Sequence, residues 1–357
     1  MVRKGSLVVD DEDHVVSNGG DAVTKIGGTA ASPGLVRSVS LRDDSSMAEQ
    51  SGIEIMATGL RFPEGPIAMA DGSIVLVEIA RQTLSRVDPD GTVDVIAELG
   101  GGPNGAALGP DGKVYVCNNG GMLFHEARGK TYPGHMPADY SGGSIQRVDP
   151  VTGEYDVLYT HAGDVPLRGP NDLVFDRHGG FWFTDHGKLE DRVKDRTGVF
   201  YAKANGSDIQ EVIFPLDGPN GIGLSPDEDE LYIAETPTGQ VWAYELAGPG
   251  ELLGERRDKP DGGRLLAGRP GYFMFDSLAI DGQGNVCVAT IVDGGITILS
   301  PSGAEPRFVP MPDRITTNIC FGGDDLRTAY ITLSSTGILA KVAWDTPGLR
   351  LNYSTTP

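Results

Sequence analysis

Residues 102–119 read GPNGAALGPDGKVYVCNN: a short strand of small residues, a Gly-Pro-Asp-Gly turn, and a second strand of Val, Tyr and Cys. Two strand-like runs joined by such a turn form a β-hairpin, because glycine supplies the positive φ of the turn and proline presets its first angle. Working outward from this hairpin, the same unit recurs. It reads FPEGPIAMADGSIVLVEIA at 62–80, GPNDLVFDRHGGFWFTDHG at 169–187 and GPNGIGLSPDEDELYIAET at 218–236. It returns as FDSLAIDGQGNVCVATIV at 275–292 and TTNICFGGDDLRTAYITL at 316–333. Further strand-like pieces such as TLSRVDPDG, GSIQRVDPVTG, QVWAYEL and ITILSPSG follow the hairpins. Six units of about four strands each spell an all-β chain, a six-bladed β-propeller, with one domain over residues 51–350. No long amphipathic helical period interrupts the series. The 51 glycines are about twice the usual share, as so many tight turns require.

Residues 1–50 differ: they are rich in Ser, Asp and Gly, lack aromatics and show no sustained period. They read as a disordered tail, or as sequence upstream of a start at Met47. No apolar h-region and no run approaching 18 apolar residues occurs, so a cytoplasmic protein without a membrane partner is expected. Fifty acidic residues oppose 29 basic ones, giving a net charge of −21. Without a Lys/Arg cluster the chain has no footprint for a phosphate backbone, which excludes nucleic acid as a partner. The three cysteines, Cys117, Cys287 and Cys320, lie in apolar strands without CxxC spacing and read as buried thiols.

Aligned on their first strands, the six units each carry one polar residue where core strands usually place Val, Leu or Ala: Glu64, Asn104, Asn171, Asn220, Asp276 and Asn318. The first strand of a propeller blade borders the central channel, so these six side chains converge on one axis. Two carboxylates and several amide oxygens suit a hard cation, Ca²⁺ above all, with Mn²⁺, Zn²⁺, Mg²⁺ or Fe²⁺ as alternatives. The absence of His and Cys from the ring argues against a thiolate or imidazole site. A fully ligated ion that plugs the channel, or a hydrated polar channel, is the structural alternative. Fourteen residues further on (15 in the fourth unit) stand Glu78, Asn118, Asp185, Glu235, Thr290 and Thr332, at the end of each second strand and hence beside the same channel mouth. The 67-residue spacing between Asn104 and Asn171 holds a long insertion, 120–143, with aromatics and two histidines, which reads as a lid or pocket wall. His125 on that insertion, together with Asp185, His186, Asn104 and Asn318, is expected to touch substrate.

FPEGP around Glu64, GPNDLVF around Asn171, GPNGIGLS around Asn220, DSLAID around Asp276 and the closing TTNICFGGDDLRTAYIT resemble the SMP-30/gluconolactonase/LRE-like family. The resemblance covers about residues 55–345, and the family's relatives include diisopropylfluorophosphatase and paraoxonase. It implies a six-bladed propeller with one catalytic divalent ion held by Glu64, Asn171, Asn220 and Asp276, with Asn104 in a pocket position that binds the ion in some relatives. It implies a lactone or ester as the small-molecule substrate. Sugar-lactonase members carry an Arg two residues before the third-blade Asn; here that position is Gly169, with Arg168 one further back, which leaves a more apolar lactone open beside a sugar lactone.

The expected chemistry is hydrolytic. The ion polarises the lactone carbonyl, an activated water attacks, Asp276 serves as base or metal-coupled carboxylate, and Glu64 is mainly a ligand. Asp185 or His186 is the alternative base. A phosphotriesterase-type hydrolase with Asp276 as nucleophile is the runner-up, and a non-catalytic propeller scaffold is the competitor from another class.

Overall fold

The computed structural model describes residues 52–190, 192–254, 261–268 and 271–355. The reading of 1–50 as a tail lies outside the described residues. Six antiparallel sheets form the blades, and their inner strands are Pro63–Ala68, Pro103–Leu108, Pro170–Phe175, Pro219–Leu224, Met274–Ile280 and Thr316–Gly322. Each inner strand packs on the next and the sixth packs on the first, so the blades close into a ring. This is the six-bladed propeller that the repeat implies. In the fourth blade the third strand, Gln240–Gly248, pairs with Arg264–Gly268 along its first half and with Glu251–Leu252 at its far end.

The last blade is built from both ends of the domain. Ile53–Ala57 lies antiparallel to Ile338–Ala343 as its outermost strand. Closure in this way removes a sheet edge and fastens the ring. Apolar side chains of neighbouring sheets fill the wedges between blades. Tyr115 of the second blade meets Phe175 of the third edge-on, with ring centroids 5.0 Å apart. Trp182 and Tyr201 join Ile222, Leu224 and Leu231 in the next wedge. Burying one such ring contributes roughly 2–3 kcal/mol, so the wedges carry most of the stability. Cys117 and Cys287 are buried, Cys320 is half-buried, and all three are free thiols.

Two features position the site. Every inner strand loses register just after it begins, at Glu64/Ile67, Pro103/Ala106, Pro170/Leu173, Pro219/Ile222, Phe275/Leu278 and Thr316/Asn318. A bulge there bends the strand and re-aims the side chain that sits on it. On the opposite face, the C-terminal segment straps the bottom of the ring. Leu349 N–H donates to Ile280 O at 2.9 Å, Gly348 N–H to Leu326 O at 2.8 Å, and Asn352 Nδ2 to Phe175 O at 3.1 Å. The strap extends past residue 350, the expected domain end. Among the described residues no helix is long and apolar enough to cross a membrane.

Candidate active site

The six ring residues all sit at the bulged starts of the inner strands, and each is buried, between 3% exposed (Glu64) and 8% exposed (Asp276). The repeated spacing therefore brings six polar groups to one end of one channel. Blades approach closely here: a Cβ added to Gly221 would lie 2.6 Å from the Asp276 carbonyl oxygen, so only glycine follows Asn220. Asn318 Nδ2 donates to Glu64 Oε2 at 2.8 Å, and the Gly65 N–H donates to the same oxygen at 3.0 Å. The Ser277 hydroxyl donates to Asn220 Oδ1 at 3.4 Å, and the Asn220 amide donates to Asp276. Asn171 Oδ1 is buried and has no hydrogen-bond partner.

Burial raises the Glu64 carboxyl, opposed by hydrogen bonds from Thr317, Asn318 and Gly65. Burial, then the charge of Glu64, pushes Asp276 well above the usual carboxylate range. No cationic side chain figures among the influences on either group. An uncompensated buried charge costs several kcal/mol, so two such groups facing each other call for a countercharge or for protons.

A third carboxyl escaped the sequence reading. Asp172 is 7% exposed and directly follows Asn171, where the second and fourth blades have Gly105 and Gly221. Its Oδ1 accepts the Leu173 N–H at 2.9 Å, and burial followed by the charge of Glu64 raises it to about 7. The signal was visible as PND against the PNG of the other two repeats.

The second register has a different job from the one expected of Asp185. In five blades the residue preceding the ring position pairs with the register residue: Pro63 with Glu78, Pro103 with Asn118, Pro170 with Asp185, Pro219 with Glu235 and Phe275 with Thr290. In four of them, all but Thr290, the side chain then ties down the incoming corner. Glu78 Oε2 accepts Arg61 N–H at 2.7 Å, Asn118 Oδ1 accepts Gly102 N–H at 2.8 Å, and Glu235 Oε1 accepts Asp217 N–H at 3.0 Å. Asp185, 1% exposed, accepts N–H groups of Arg168 at 2.6 Å, Gly169 at 2.7 Å and Gly187 at 2.9 Å. Through these bonds it anchors the corner that leads into the third blade. A buried carboxylate is tolerated there because the backbone donors solvate it.

His186 stands between the third and fourth blades, with its Cε1 3.1 Å from where a Cβ of Gly218 would lie. Its Nδ1 is buried without a partner. Burial, then Lys194 and Lys188, lowers the imidazole to about 4, so it is neutral at neutral pH. His125 is exposed on the insertion and stacks on Tyr132, with ring centroids 5.7 Å apart. The insertion forms a small hairpin, Phe124–Ala127 with Lys130–Pro133, that reaches away from its own blade. Phe124 packs on Phe62 of the first blade at 5.1 Å, and Thr131 N–H donates to Ser335 O of the sixth at 2.8 Å. The insertion thus lies along the mouth, as a lid or wall would.

Lys188 adds a second tie that the sequence did not announce. Its ammonium donates to Asn119 Oδ1 at 3.1 Å and Gly121 O at 2.8 Å and lies 5.1 Å from the Tyr140 ring, joining the insertion to the third-blade loop. Burial lowers it to about 8. Arg168 packs on the same ring and pairs with Asp195 at 2.8 Å. A side chain at 169 has no room, because a Cβ there would lie 2.7 Å from the Gly187 carbonyl oxygen.

Comparison with known proteins agrees with this frame. A gluconolactonase of Zymomonas mobilis is 28% identical over 331 residues, covering 84% of each chain. Lactonase drp35 of Staphylococcus saprophyticus is 28% identical over 265 residues, covering 73% of each chain. Among solved structures, a gluconolactonase from Xanthomonas campestris superposes with a TM-score of 0.64 at 22% identity, over 85% of this chain and 93% of that one. The calcium-binding protein regucalcin from Agrobacterium tumefaciens does so with a TM-score of 0.64 at 18% identity, over 82% and 95%. The model of the SMP-30/gluconolactonase/LRE-like region matches residues 62–335, and the chain belongs to that family.

Proposed function

We propose that this protein hydrolyses lactones at the channel mouth with the help of one divalent cation held by Glu64, Asn171, Asn220 and Asp276. The observation that carries the reading is the ring itself: a partnerless buried Asn171 Oδ1 beside two uncompensated buried carboxyls. That donor set fits a hard cation, since carboxylate and amide oxygens are its usual ligands. Among the described residues no group of three or more His, Cys, Asp and Glu side chains is disposed to hold an ion, so such a site depends on the amide oxygens. A bound ion of this kind supplies a Lewis acid for the lactone carbonyl. The likeness to calcium-binding regucalcin favours Ca²⁺, with Mn²⁺, Zn²⁺, Mg²⁺ and Fe²⁺ as alternatives.

The chain's own residues supply the rest. Asn104 and Asn318 flank the four ligands and orient the ester group. Asp276 accepts a proton from the attacking water as the carbonyl carbon becomes tetrahedral and returns it to the ring oxygen as the acyl C–O bond breaks, giving a hydroxy acid. His186, neutral and with Nδ1 unsatisfied, and His125 on the insertion stand at the mouth as substrate contacts. The gluconolactonase and lactonase relatives support this substrate class.

The mouth favours an apolar lactone over a polyhydroxylated one. Leu123, Leu189, Val193 and Tyr272, all on mouth-side connections, are 52%, 54%, 61% and 79% exposed. The cations nearest the third-blade entry, Arg168, Lys188 and Lys194, are already engaged by Asp195, Asn119 and Asp217.

The test is a pH-indicator assay on protein stripped with chelator and refilled with each ion in turn. The panel holds gluconolactone, alkyl- and aryl-substituted lactones, and one phosphotriester. Metal-dependent acid release is expected from the lactones, fastest with apolar substituents, and kcat/KM should rise roughly two- to fourfold per added methylene. Turnover of the phosphotriester alone, or turnover indifferent to chelation, contradicts the reading.

A further inference from the structure

The ring divides the channel in two, and the lower half is a chamber of its own. Below the ring lies a cavity of about 240 Å³. Its ceiling includes Gly65, Asp172 and Asn318. Its walls are aliphatic and aromatic, among them Ile67, Leu108, Phe175, Ile222, Leu278 and Phe321. The C-terminal strap crosses its floor with Leu349 and Leu351. Arg177 and Leu351, which also line it, are about half exposed, so the chamber reaches the lower surface. None of the four ligand residues, and no residue of the mouth insertion, lines it.

We propose that this chamber is a second binding site, separate from the mouth, for an uncharged apolar molecule of one or two rings carrying at most one hydrogen-bonding group.

Size and lining set the class. An apolar cavity of ~150 Å³ stays dry and binds benzene or xenon, because water finds no partners in it. This chamber is larger and open at its floor, but its middle is walled in the same way, by Ile67, Leu108, Phe175, Ile222 and Leu278. Its polar groups are confined to the two ends. At the ceiling Asp172 and Asn318 offer one hydrogen-bonding position. At the floor the arginines are occupied: Arg177 donates to Asp227 O at 2.7 Å and pairs with Glu228 at 3.0 Å, and Arg350 has a partner of its own. With those cations engaged and the carboxyls of Glu64, Asp172 and Asp276 overhead, an anion is disfavoured. A cation would leave water for aliphatic walls, at a cost the ceiling alone does not offset. A neutral molecule with its one polar atom upward fits both ends. Asn352 fixes the strap across the opening, donating to Glu228 Oε1 at 2.6 Å as well as to Phe175 O. Asn318 at the ceiling apart, the chamber is lined by residues the proposed reaction does not use, so the proposal does not depend on lactone hydrolysis.

Thermal melts of the full chain with indole, and separately with p-xylene, test it. A saturable rise of ~2–4 °C is expected. Ala106→Leu and Ala107→Leu, made singly, fill the chamber and should weaken binding at least tenfold. Leu189→Ser at the mouth should leave it unchanged. Crystals of the unmodified chain pressurised with xenon should show an anomalous peak below the ring, a readout that does not rely on the variants folding. No saturable shift, binding unaffected by fillers that melt like the parent, binding lost in Leu189→Ser, or no xenon below the ring would each overturn the proposal.

Discussion

Asp276→Asn removes lactone hydrolysis by roughly 10³-fold or more and, in the metal-free protein, raises the melting temperature. The two effects have one origin. The substitution keeps the shape of the side chain and deletes the charge that, under the proposed function, binds the cation and accepts the proton, functions each worth ~10²–10⁴-fold. In the metal-free chain that charge is a liability, since Asp276 is buried against Glu64 and Asp172. Removing it relieves repulsion, and ~1 kcal/mol of relief moves the melting temperature by ~2 °C in a large domain. Activity assays paired with calorimetry of chelated samples check this. A variant that loses activity and also melts lower without metal would point to a structural hydrogen-bonding role for Asp276.

The second large effect is on pH. Glu64, Asp172 and Asp276 all hold their protons more tightly in the folded chain than in the unfolded one. Each therefore favours the folded state while protonated, and that advantage is lost as pH rises from the ordinary carboxyl range through the raised values. For Asp172 the span from 3.8 to about 7 corresponds to about 4 kcal/mol. Asp71 and Asp149 act in the opposite sense: hydrogen bonds from Ser73 and Lys113 respectively, the largest influences, lower them to about 2, so their contribution fades below pH ~4. Metal-free protein is accordingly most stable in mild acid and weakens toward neutrality, whereas excess divalent ion flattens the slope by holding the ring carboxylates charged. Thermal melts from pH 4 to 8, with and without ion, measure it. Metal-free stability that climbs over this range would run against the account.

The propeller was legible because its signal is repetition, which needs no long-range knowledge. Hairpin chemistry recurs in six copies, and the polar residue at the start of each inner strand stands out against an apolar expectation. What the sequence hid depends on contacts between distant segments. The pairing of Ile53–Ala57 with Ile338–Ala343 joins residues nearly 290 apart, and a lone strand carries no mark of its partner. The strap beyond Asp345 likewise has no period to announce it. The structural role of Asp185 was also hidden, because only in three dimensions do its oxygens meet the N–H groups of the adjoining corner. Asp172 is less legible because it stands beside the ring position and not on it. Yet an acid where sister repeats have glycine was a usable signal.

The claim beneath all of this is that six inner strands present one cation site. Titration calorimetry of the stripped chain with Ca²⁺, and with Mn²⁺ as a second ion, tests it most directly. The prediction is one ion per chain, bound with release of protons near neutral pH from the raised carboxyls, and lost in Glu64→Gln. Absence of binding, or binding that Glu64→Gln leaves untouched, would contradict it.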